Sequence, residues 1–277
     1  MEVLLVLIEM VNVDMVAVFF AEKAGSGEHL NSSENIKKQV EDYFKSYKAE
    51  RANKFIVYFQ NFTNTYDSLE NLKQKYDSAL INEKIIGISI ATRPDCINED
   101  IVKLLSSYKE KYFVSVELGL QTSNNTTGKL INRGYDSKIF TDAVNLLRKY
   151  NIEVITHIMI GLPNETKEDL ENTINFINKH DIQGVKIHST YIIKNTKLEE
   201  LFNNGLYTPL TLDNYIELAC FTLSHLRKDI IIHRISGDAP KYLLVSPSWN
   251  LHKKWIINGI EKKLKDDDLW QGKFLSL

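Results

Sequence analysis

The sequence predicts an α/β protein whose core is a full or partial barrel of parallel strands with helices packed around it. Three observations favour this fold class. Short apolar segments alternate with segments of helical period, as in repeated βα units with right-handed crossovers. The apolar segments are hydrophobic along nearly their whole length, which is typical of parallel strands covered on both faces. Polar residues follow each of them at the carboxyl end, where parallel barrels place their sites.

Five segments are predicted to be strands because they are rich in β-branched and aromatic residues; they span residues 54–62, 85–94, 113–122, 153–161 and 184–193. Helices are predicted between them, each beginning near a residue that suits a helix N-cap. These starts are Asn31 with Glu34 at capping-box spacing, then Asp67, Asn98, Asp136, and Thr166 with Asp169. So many βα units indicate a barrel rather than a small open sheet.

Composition and charge narrow the class of protein. The 277 residues are 43% hydrophobic and 25% charged, enough for one large α/β domain with a substantial core. A formal net charge of −2 gives no global attraction to nucleic acid or to acidic membranes. Cys96 and Cys220 lie far apart in sequence, which excludes a disulfide scaffold and predicts a reducing, cytoplasmic setting.

Residues 1–20 are strongly apolar and invite comparison with a targeting segment. Glu2, Glu9 and Asp14 stand where a signal peptide needs a basic region and a small-residue cleavage site. A membrane helix would have to carry two of these acids in its middle, which is costly. We therefore expect neither a signal peptide nor a membrane span, and no membrane partner.

The predicted strand 113–122 contains the polar residues around which the chain is organised. Glu117 lies inside it, Gln121 marks its carboxyl end, and Arg133 follows after a short helical turn. A carboxylate inside an apolar strand is costly to bury without a partner. Two interpretations are open: a buried structural pair between Glu117 and Arg133, or a polar ligand site at the mouth of the barrel. We favour the ligand site.

Polar segments also follow the other predicted strands. They are Gln60–Thr65, Thr92–Asp95, Gly161–Glu165 and His188–Thr190, beside Glu117–Thr122. Each alone is weak evidence, because Asn, Thr and Gly are common in ordinary loops. The carboxyl ends of parallel barrel strands converge on one mouth, so their repetition predicts a shared site.

These residues resemble the radical S-adenosylmethionine (SAM) superfamily. The segments VELGLQT, INRGYD, HIMIGLPNET, YFQNFTNTY and ATRPDC resemble in particular its YhcC/YtqA-like branch, which is related to the catalytic subunit of Elongator. HRISGDAP and SPSWNLHKKW resemble the C-terminal extension of that branch. The resemblance implies a partial (β/α)6-type TIM barrel with a C-terminal α/β extension. It divides the chain into an aberrant N-terminal segment (1–24), a radical SAM core (25–195) and the extension (196–277).

The family resemblance implies two cofactors. A [4Fe–4S] cluster is held on three cysteines, and the amino and carboxylate groups of SAM chelate the fourth iron. An electron-donor protein reduces the cluster, and the cleaved SAM yields a 5′-deoxyadenosyl radical that attacks a substrate. By the match of motifs, Thr63 and Asn64 lie where the family's second-strand loop approaches the methionine amino group.

The remaining SAM-site residues come from three further segments. The resemblance puts Glu117 and Gln121 on the SAM-facing strand and pairs Arg133 with the methionine carboxylate, a use suited to a guanidinium fork. Gly161 would let the backbone run beside the adenine. The alternative for Gly161 is an ordinary loop glycine before Pro163.

The sequence departs from the family at the cluster. The cysteine motif belongs just before Gly25-Ser26-Gly27, and no cysteine is there. Cys96 and Cys220 cannot replace it, because two residues cannot supply three ligands. We expect Cys96 to be a small buried or loop residue and Cys220 to be a core residue on an apolar helix face.

We hypothesise that residues 2–21 are a frameshifted cluster loop. Valine codons begin with GT, so reading one base earlier turns each into a codon ending in GT, which includes a cysteine codon. One permitted back-translation of residues 2–21 reads GGFTCPNRDGKCGYGGCIFC. It resembles the branch's loop, C-P-N-R-D-G followed by G-G-C-x-F-C. We favour this explanation over a genuinely different N-terminus.

Three functions remain open from the sequence. The first is a radical SAM enzyme acting on an unknown substrate, and the second is a catalytically inactive remnant that binds SAM weakly or not at all. The third, ranked last, is an RNA-binding module, suggested by the basic residues Lys253, Lys254, Lys262, Lys263 and Lys265, although Asp266, Asp267 and Asp268 follow them. His157, His188, His233 and His252 lack compact metal-ligand spacing, so we expect core or loop roles for them first.

Overall fold

The computed structural model describes residues 3–8, 33–47, 50, 52–60, 63–237 and 239–275. The strands in this part of the chain are β1 (Val3–Ile8), β2 (Lys54–Phe59), β3 (Ile85–Thr92), β4 (Phe113–Gln121), β5 (Glu153–Ile160), β6 (Gly184–Ser189), β7 (Ile192–Ile193), β8 (Ile231–Arg234) and β9 (Leu244–Ser246). The helices are α1 (Ser33–Lys45), α2 (Leu69–Ala79), α3 (Glu99–Tyr108), α4 (Asn125–Leu130), α5 (Ser137–Lys149), α6 (Lys167–Asn178), α7 (Lys197–Asn203), α8 (Leu212–His225) and α9 (Lys253–Asp266). Short 3-10 turns cover Pro94–Cys96 and Ser248–Leu251.

The described residues fall into two compact units. The first takes the described residues up to Gly119 together with Asp142–Val154, and the second takes Leu120–Thr141 and the described residues from Ile155 onward. In the first unit β1, β2, β3 and β4 pair in chain order, all parallel. In the second unit β5 pairs with β6 and β6 with β8, again parallel, while β7 and β9 form an antiparallel pair.

Parallel strands separated by helices confirm the predicted fold class, a partial (β/α) barrel with a C-terminal α/β extension. One predicted strand is divided: residues 184–193 form β6 and then β7, because the chain leaves the parallel sheet after Ser189. Thr190 still donates its N–H to Ile160 O at 3.0 Å, and Ile192 then pairs with Ser246. The domain boundaries drawn from the family resemblance stay a prediction.

One face of β2 packs against helices α1 and α2 in the core of the first unit. Phe55 and Phe59 are fully buried on one face of the strand. Phe55 packs edge-on against Phe44 of α1, with ring centroids 4.9 Å apart. Phe59 packs edge-on against Tyr76 of α2, with ring centroids 5.3 Å apart. Because side chains alternate along a strand, Tyr58 points to the opposite face of the sheet.

Most of the predicted helix starts are confirmed by their hydrogen bonds. Asn98 accepts from Ile101 N, Asp136 accepts from Ile139 N, and Thr166 with Asp169 forms a complete capping box. Asp67 is not the cap of α2; Ser68 is, since its hydroxyl accepts from Asn71 N. Asp67 instead forms an ion pair of 2.6 Å with Lys75. Asn31 and the side chain of Glu34 lie outside what the structure describes.

Both cysteines are placed as predicted in the described structure. Cys220 is fully buried on α8, while Cys96 is partly buried in the 3-10 turn after β3. Burial raises the pKa of each thiol to about 11, so both are protonated near neutral pH. No helix in the described part of the chain is long and apolar enough to cross a membrane.

Candidate functional site

Glu117 in the first unit is a buried carboxylate held by hydroxyl groups. Its side chain is 3% exposed. Tyr58 donates to Glu117 Oε2 at 2.7 Å, and Ser89 donates to Oε1 at 3.1 Å. Ser115 in turn donates to Ser89 Oγ at 2.9 Å. These hydrogen bonds offset part of the cost of burying the carboxylate.

Strand register builds this cluster. Tyr58 pairs with Ser89, and Ser89 pairs with Ser115, so the three side chains lie on one face of three neighbouring strands. Glu117 follows two residues after Ser115 and shares that face. Glu117 was among the predicted site residues, but its hydroxyl partners were not. Ser89 and Ser115, polar residues inside apolar strands, were the available signal.

The loop after β2 contains an amide oxygen with no hydrogen-bond partner among the described residues. Asn64 is 1% exposed, and its Nδ2 donates to Phe59 O at 3.0 Å and to Ala91 O at 2.8 Å. These two carbonyl acceptors fix the orientation of the amide, because only the nitrogen can donate to them. Asn64 Oδ1 is buried and has no hydrogen-bond partner among the described residues. Thr63 beside it is also buried.

Arg133 in the second unit is buried and holds the chain that follows β4. Its side chain is 1% exposed, and burial lowers the pKa of the guanidinium. Nη1 donates to Leu120 O at 3.0 Å and to Thr122 O at 2.5 Å, and Nε donates to Tyr135 O at 2.8 Å. Nη2 donates to Asn125 Oδ1 at 2.9 Å.

The fit of Arg133 depends on a glycine in α4. A Cβ at Gly128 would lie 2.8 Å from Arg133 Cζ, so a larger residue would push the guanidinium away. The predicted pairing of Arg133 with a methionine carboxylate concerns an absent ligand and stays a prediction.

Glu165 is a partly buried residue that was not among the predicted site residues. Burial raises its pKa to about 7, against the opposing effects of hydrogen bonds with Thr122 and Thr127 and of the Arg133 charge. Glu165 Oε1 is buried and has no hydrogen-bond partner in the part of the chain that is described. Its place at the end of GLPNE, just before the cap of α6, was the only sequence signal.

Gly161 has a packing reason for being glycine. Its φ is +87°, and a Cβ there would lie 2.8 Å from Leu210 Cδ1. Its carbonyl accepts a hydrogen bond of 2.7 Å from Tyr207 OH. These contacts fit the alternative interpretation of a structural glycine. The predicted backbone position beside adenine remains untested.

Gln121 lines a cavity in the second unit. The cavity has a volume of about 190 Å3 and is lined by Gln121, His157, Met159, His188, Ser189 and Tyr191. The φ of Gln121 is +61°; the other non-glycine residues with positive φ in the described structure are all Asn or Asp. A glutamine in this conformation is unusual, and such backbone strain is often found at functional sites.

The residues of this chain do not fit the ligand set of the family's iron–sulfur cluster. The sequence contains two cysteines, whereas the family's cluster needs three thiolates. Within the described residues, no group of three His, Cys, Asp or Glu side chains is arranged to hold a metal ion. The hypothesis of a frameshifted cluster loop concerns residues 2–21; of these, 3–8 form β1, and the rest lie outside the described residues.

Comparison with known proteins identifies the family of this chain and agrees with its fold. The model of the Radical SAM superfamily matches residues 23–177, and that of the Radical_SAM C-terminal domain matches residues 182–266. The chain is 37% identical over 257 residues to the uncharacterized protein YtqA of Bacillus subtilis, covering 92% of this chain and 80% of YtqA. It is 32% identical over 200 residues to protein YhcC of Escherichia coli, covering 72% of this chain and 65% of YhcC.

A more distant relative and two solved structures extend the comparison. Mouse Elongator complex protein 3 is 29% identical over 167 residues, which cover 59% of this chain and 30% of that protein. The structure of an archaeal Elp3 from Methanocaldococcus infernus, with an N-terminal deletion, has a TM-score of 0.73 at 21% identity and covers 97% of this chain and 64% of that one. Escherichia coli coproporphyrinogen III oxidase has a TM-score of 0.51 at 14% identity, covering 95% of this chain and 52% of that one. The chain belongs to the radical SAM superfamily.

Proposed function

We propose that this chain binds SAM at the mouth of its barrel but cannot, as written, hold the cluster that SAM cleavage requires. In the family, the bound [4Fe–4S] cluster supplies the electron that cleaves SAM to the 5′-deoxyadenosyl radical. This chain lacks the thiolates for that cluster. It is therefore an inactive form of a radical SAM enzyme, and the unshifted reading frame would restore the active form. An electron-donor protein is a partner of the restored form only.

The observation that carries the SAM proposal is the side-chain oxygen of Asn64. Asn64 Oδ1 is a buried acceptor without a donor among the described residues. An unmet buried acceptor costs about 1–3 kcal/mol, so a ligand that donates a hydrogen bond there gains correspondingly. The methionine ammonium of SAM is such a donor. Thr63 and Asn64 would thus receive the amino group.

The other residues of the proposed SAM site have supporting roles. Glu117, fixed by Tyr58 and Ser89, presents negative charge that suits the positively charged groups of SAM. Arg133 would orient the segment that carries Gln121 and would face the methionine carboxylate. Gly161 would place the backbone beside the adenine. These assignments follow from the family motifs.

SAM analogues test this proposal without disturbing the fold. Isothermal titration calorimetry would compare SAM, decarboxylated SAM and the analogue whose α-amino group is replaced by a keto oxygen. Loss of one charge-assisted hydrogen bond should weaken binding roughly 10-fold to 100-fold. We expect the keto analogue to lose affinity if Asn64 receives the amino group, and decarboxylated SAM to lose affinity if Arg133 faces the carboxylate. Absence of SAM binding would overturn the proposal.

RNA remains the weaker candidate for a partner. The basic residues of α9 are partly neutralised, because Lys263 pairs with Asp267 at 2.7 Å. Lys254, Lys262 and Lys265 are exposed, as expected for a solvated helix face. Salt-dependent binding of tRNA, lost on changing these three lysines to glutamine, would favour the RNA function. We also propose a cytoplasmic location for this chain, as predicted from its cysteine usage.

A further inference from the structure

A 3-10 turn near the C-terminus brings a buried amide to the end of β6 in the second unit. Asn250, in the turn Ser248–Leu251, is 3% exposed, and its Nδ2 donates to Ser189 Oγ at 2.8 Å. This is the only hydrogen bond of the Asn250 side chain within the described part of the chain. The amide therefore keeps one N–H and its whole carbonyl oxygen for another partner.

Packing of the neighbouring tryptophan fixes this turn. Trp249 Nε1 donates to Leu210 O at 3.0 Å. The Trp249 ring lies against that of Tyr215 of α8, with ring centroids 5.2 Å apart and planes inclined by 30°. Tyr215 itself is fully buried. The position of Asn250 is thus set by the core around Trp249 and does not depend on the single hydrogen bond of its amide.

A second buried polar group follows Ser189 directly in the chain. Thr190 is 3% exposed, and its Oγ1 has no hydrogen-bond partner among the described residues. Its backbone N–H donates to Ile160 O at 3.0 Å, and a Cβ at Gly161 would lie 3.9 Å from Thr190 Cβ, so Thr190 is fixed beside the end of β5. Buried polar groups are nearly always hydrogen-bonded in folded proteins. An unmet hydroxyl and an unmet amide oxygen around the same serine therefore indicate a binding position.

Ser189 links these two groups to the cavity that Gln121 lines. The cavity has a volume of about 190 Å3 and is lined by Gln121, His157, Met159, His188, Ser189 and Tyr191. Gly237 of the segment after β8 also approaches it, since a Cβ there would lie 3.2 Å from His188 Nδ1. Pockets that enclose whole drug-sized ligands have roughly 300–1,000 Å3, whereas one water molecule takes a share of about 30 Å3. The cavity therefore suits one small group of a ligand and the atoms next to it.

The two unmet groups select the chemistry of that ligand. Asn250 Oδ1 can only accept a hydrogen bond, whereas the Thr190 hydroxyl can donate one. A carboxylate cannot donate to Asn250, and an ammonium group cannot accept from Thr190. An amide satisfies both, because it presents an N–H beside a C=O. The Asn250 amide has the same planar spacing of donor and acceptor, which favours a planar amide over a hydroxyl group.

We propose that Asn250 and Thr190 bind an uncharged amide-type group of a small molecule that enters the cavity beside Ser189. The N–H of the ligand would donate to Asn250 Oδ1, and its C=O would accept from Thr190 Oγ1. This amide site takes a molecule other than SAM, so it goes beyond the SAM-binding function proposed above. The alternative occupant is ordered water, which also donates and accepts hydrogen bonds at buried polar groups.

Acetamide is the probe that tests the amide site. It is titrated into the full chain labelled with 15N-asparagine, and the side-chain amide signals are followed by NMR. Acetate and ethanol are titrated in parallel; both resemble acetamide in size, but acetate has no N–H and ethanol has no carbonyl. We expect a saturable shift of the Asn250 signal, assigned through Asn250→Ala, with acetamide alone. No saturable shift with acetamide, as expected if ordered water alone meets the two groups, would overturn the amide site, and so would equal shifts with acetate or ethanol.

Thr190→Val tests the hydroxyl, because it replaces an unmet buried O–H by a methyl group of the same shape. The variant should unfold at the same temperature as the unaltered chain or at a higher one. Its affinity for acetamide should fall roughly 3-fold to 10-fold, as expected for the loss of one hydrogen bond between uncharged groups. Thr208→Val is the matched control, since Thr208 is exposed, and it should bind acetamide as the unaltered chain does. Unchanged acetamide affinity in Thr190→Val would overturn the proposal.

A competition arm with SAM separates the amide site from the proposed function, since the adenine of SAM also presents an N–H beside an acceptor. If acetamide still binds when SAM is saturating, the two sites are distinct. If SAM displaces acetamide, Asn250 and Thr190 belong to the SAM site and the proposal of a second ligand is wrong. If SAM fails to bind while acetamide binds, the proposed function fails and the amide site stands.

Discussion

Tyr58 donates its phenolic hydrogen to Glu117 Oε2 at 2.7 Å, joining the second and fourth strands of the described sheet through a buried hydrogen bond. Tyr58→Phe removes this donor and keeps the aromatic ring. Leaving a buried charged acceptor short of a hydrogen bond costs about 1–3 kcal/mol. We therefore expect the free energy of unfolding, measured in urea, to fall by that amount. Tyr66→Phe is the control, because Tyr66 is 64% exposed; it should change stability by less than about 0.5 kcal/mol.

Equal stability of Tyr58→Phe and the unaltered chain would mean that Glu117 is adequately held by its other contacts. In that case the Tyr58 hydroxyl would matter for ligand binding rather than for stability, and SAM titration of the same variant would reveal it.

Glu165 should make the stability of the chain depend on pH. Burial raises its pKa in the folded chain to about 7, above the ordinary value of 4.5. The folded state therefore favours the protonated carboxyl, so its contribution is fully present below pH 4.5 and is lost as the pH rises through 7. At pH 8 the loss is on the order of 3–4 kcal/mol, since the pKa rises from 4.5 to about 7 and each pKa unit corresponds to about 1.4 kcal/mol.

Glu165→Gln removes this titration while keeping the shape of the side chain. The variant should match the unaltered chain near pH 5 and be the more stable of the two at pH 8, as measured by urea unfolding at both values. Glu171→Gln is a change at an exposed position on α6, and its stability relative to the unaltered chain should be the same at pH 5 and pH 8. If the unfolding free energies of Glu165→Gln and the unaltered chain differ by the same amount at both pH values, the pKa of Glu165 is not raised in the folded chain.

Arg133→Lys should loosen the segment after β4. The guanidinium serves acceptors on Leu120, Thr122, Asn125 and Tyr135, and a lysine ammonium cannot reproduce that fork. We expect a loss of at least about 2 kcal/mol in unfolding free energy, with faster amide hydrogen exchange at residues 120–125. Unchanged exchange there would show that the loop holds its shape without Arg133.

Much of the fold could be predicted because β2 to β6 are rich in β-branched and other apolar residues and are separated by well-capped helices. The break after Ser189 could not, since the partner of β7 is the distant segment Leu244–Ser246. The site was less predictable. Glu117 could be found as a charge in an apolar strand, whereas the partners of Arg133 are mostly backbone carbonyls, which no side-chain pattern encodes. The raised pKa of Glu165 depends on tertiary burial, which its loop sequence does not express.

The unaltered chain should not assemble an iron–sulfur cluster or cleave SAM. Thiolates are the usual ligands of such clusters, and residues 2–21 contain none. Cys96 and Cys220 are too few, and burial raises the pKa of both thiols, which opposes formation of the thiolate that iron needs. Replacing residues 2–21 with GGFTCPNRDGKCGYGGCIFC supplies the three cysteines of the family's loop and one additional cysteine.

Anaerobic reconstitution with iron and sulfide, followed by a reductant and SAM, compares the two chains directly. The readouts are the visible absorbance of the cluster and the formation of 5′-deoxyadenosine. The repaired chain should give both signals and the unaltered chain neither, while both bind SAM in calorimetry because Asn64 and Arg133 lie outside the replaced segment. Cluster and product from the unaltered chain would refute the inactive form. If the repaired chain folds but gives neither signal, the frameshift hypothesis is refuted. Sequencing the first 30 codons of the coding DNA would check the hypothesis independently.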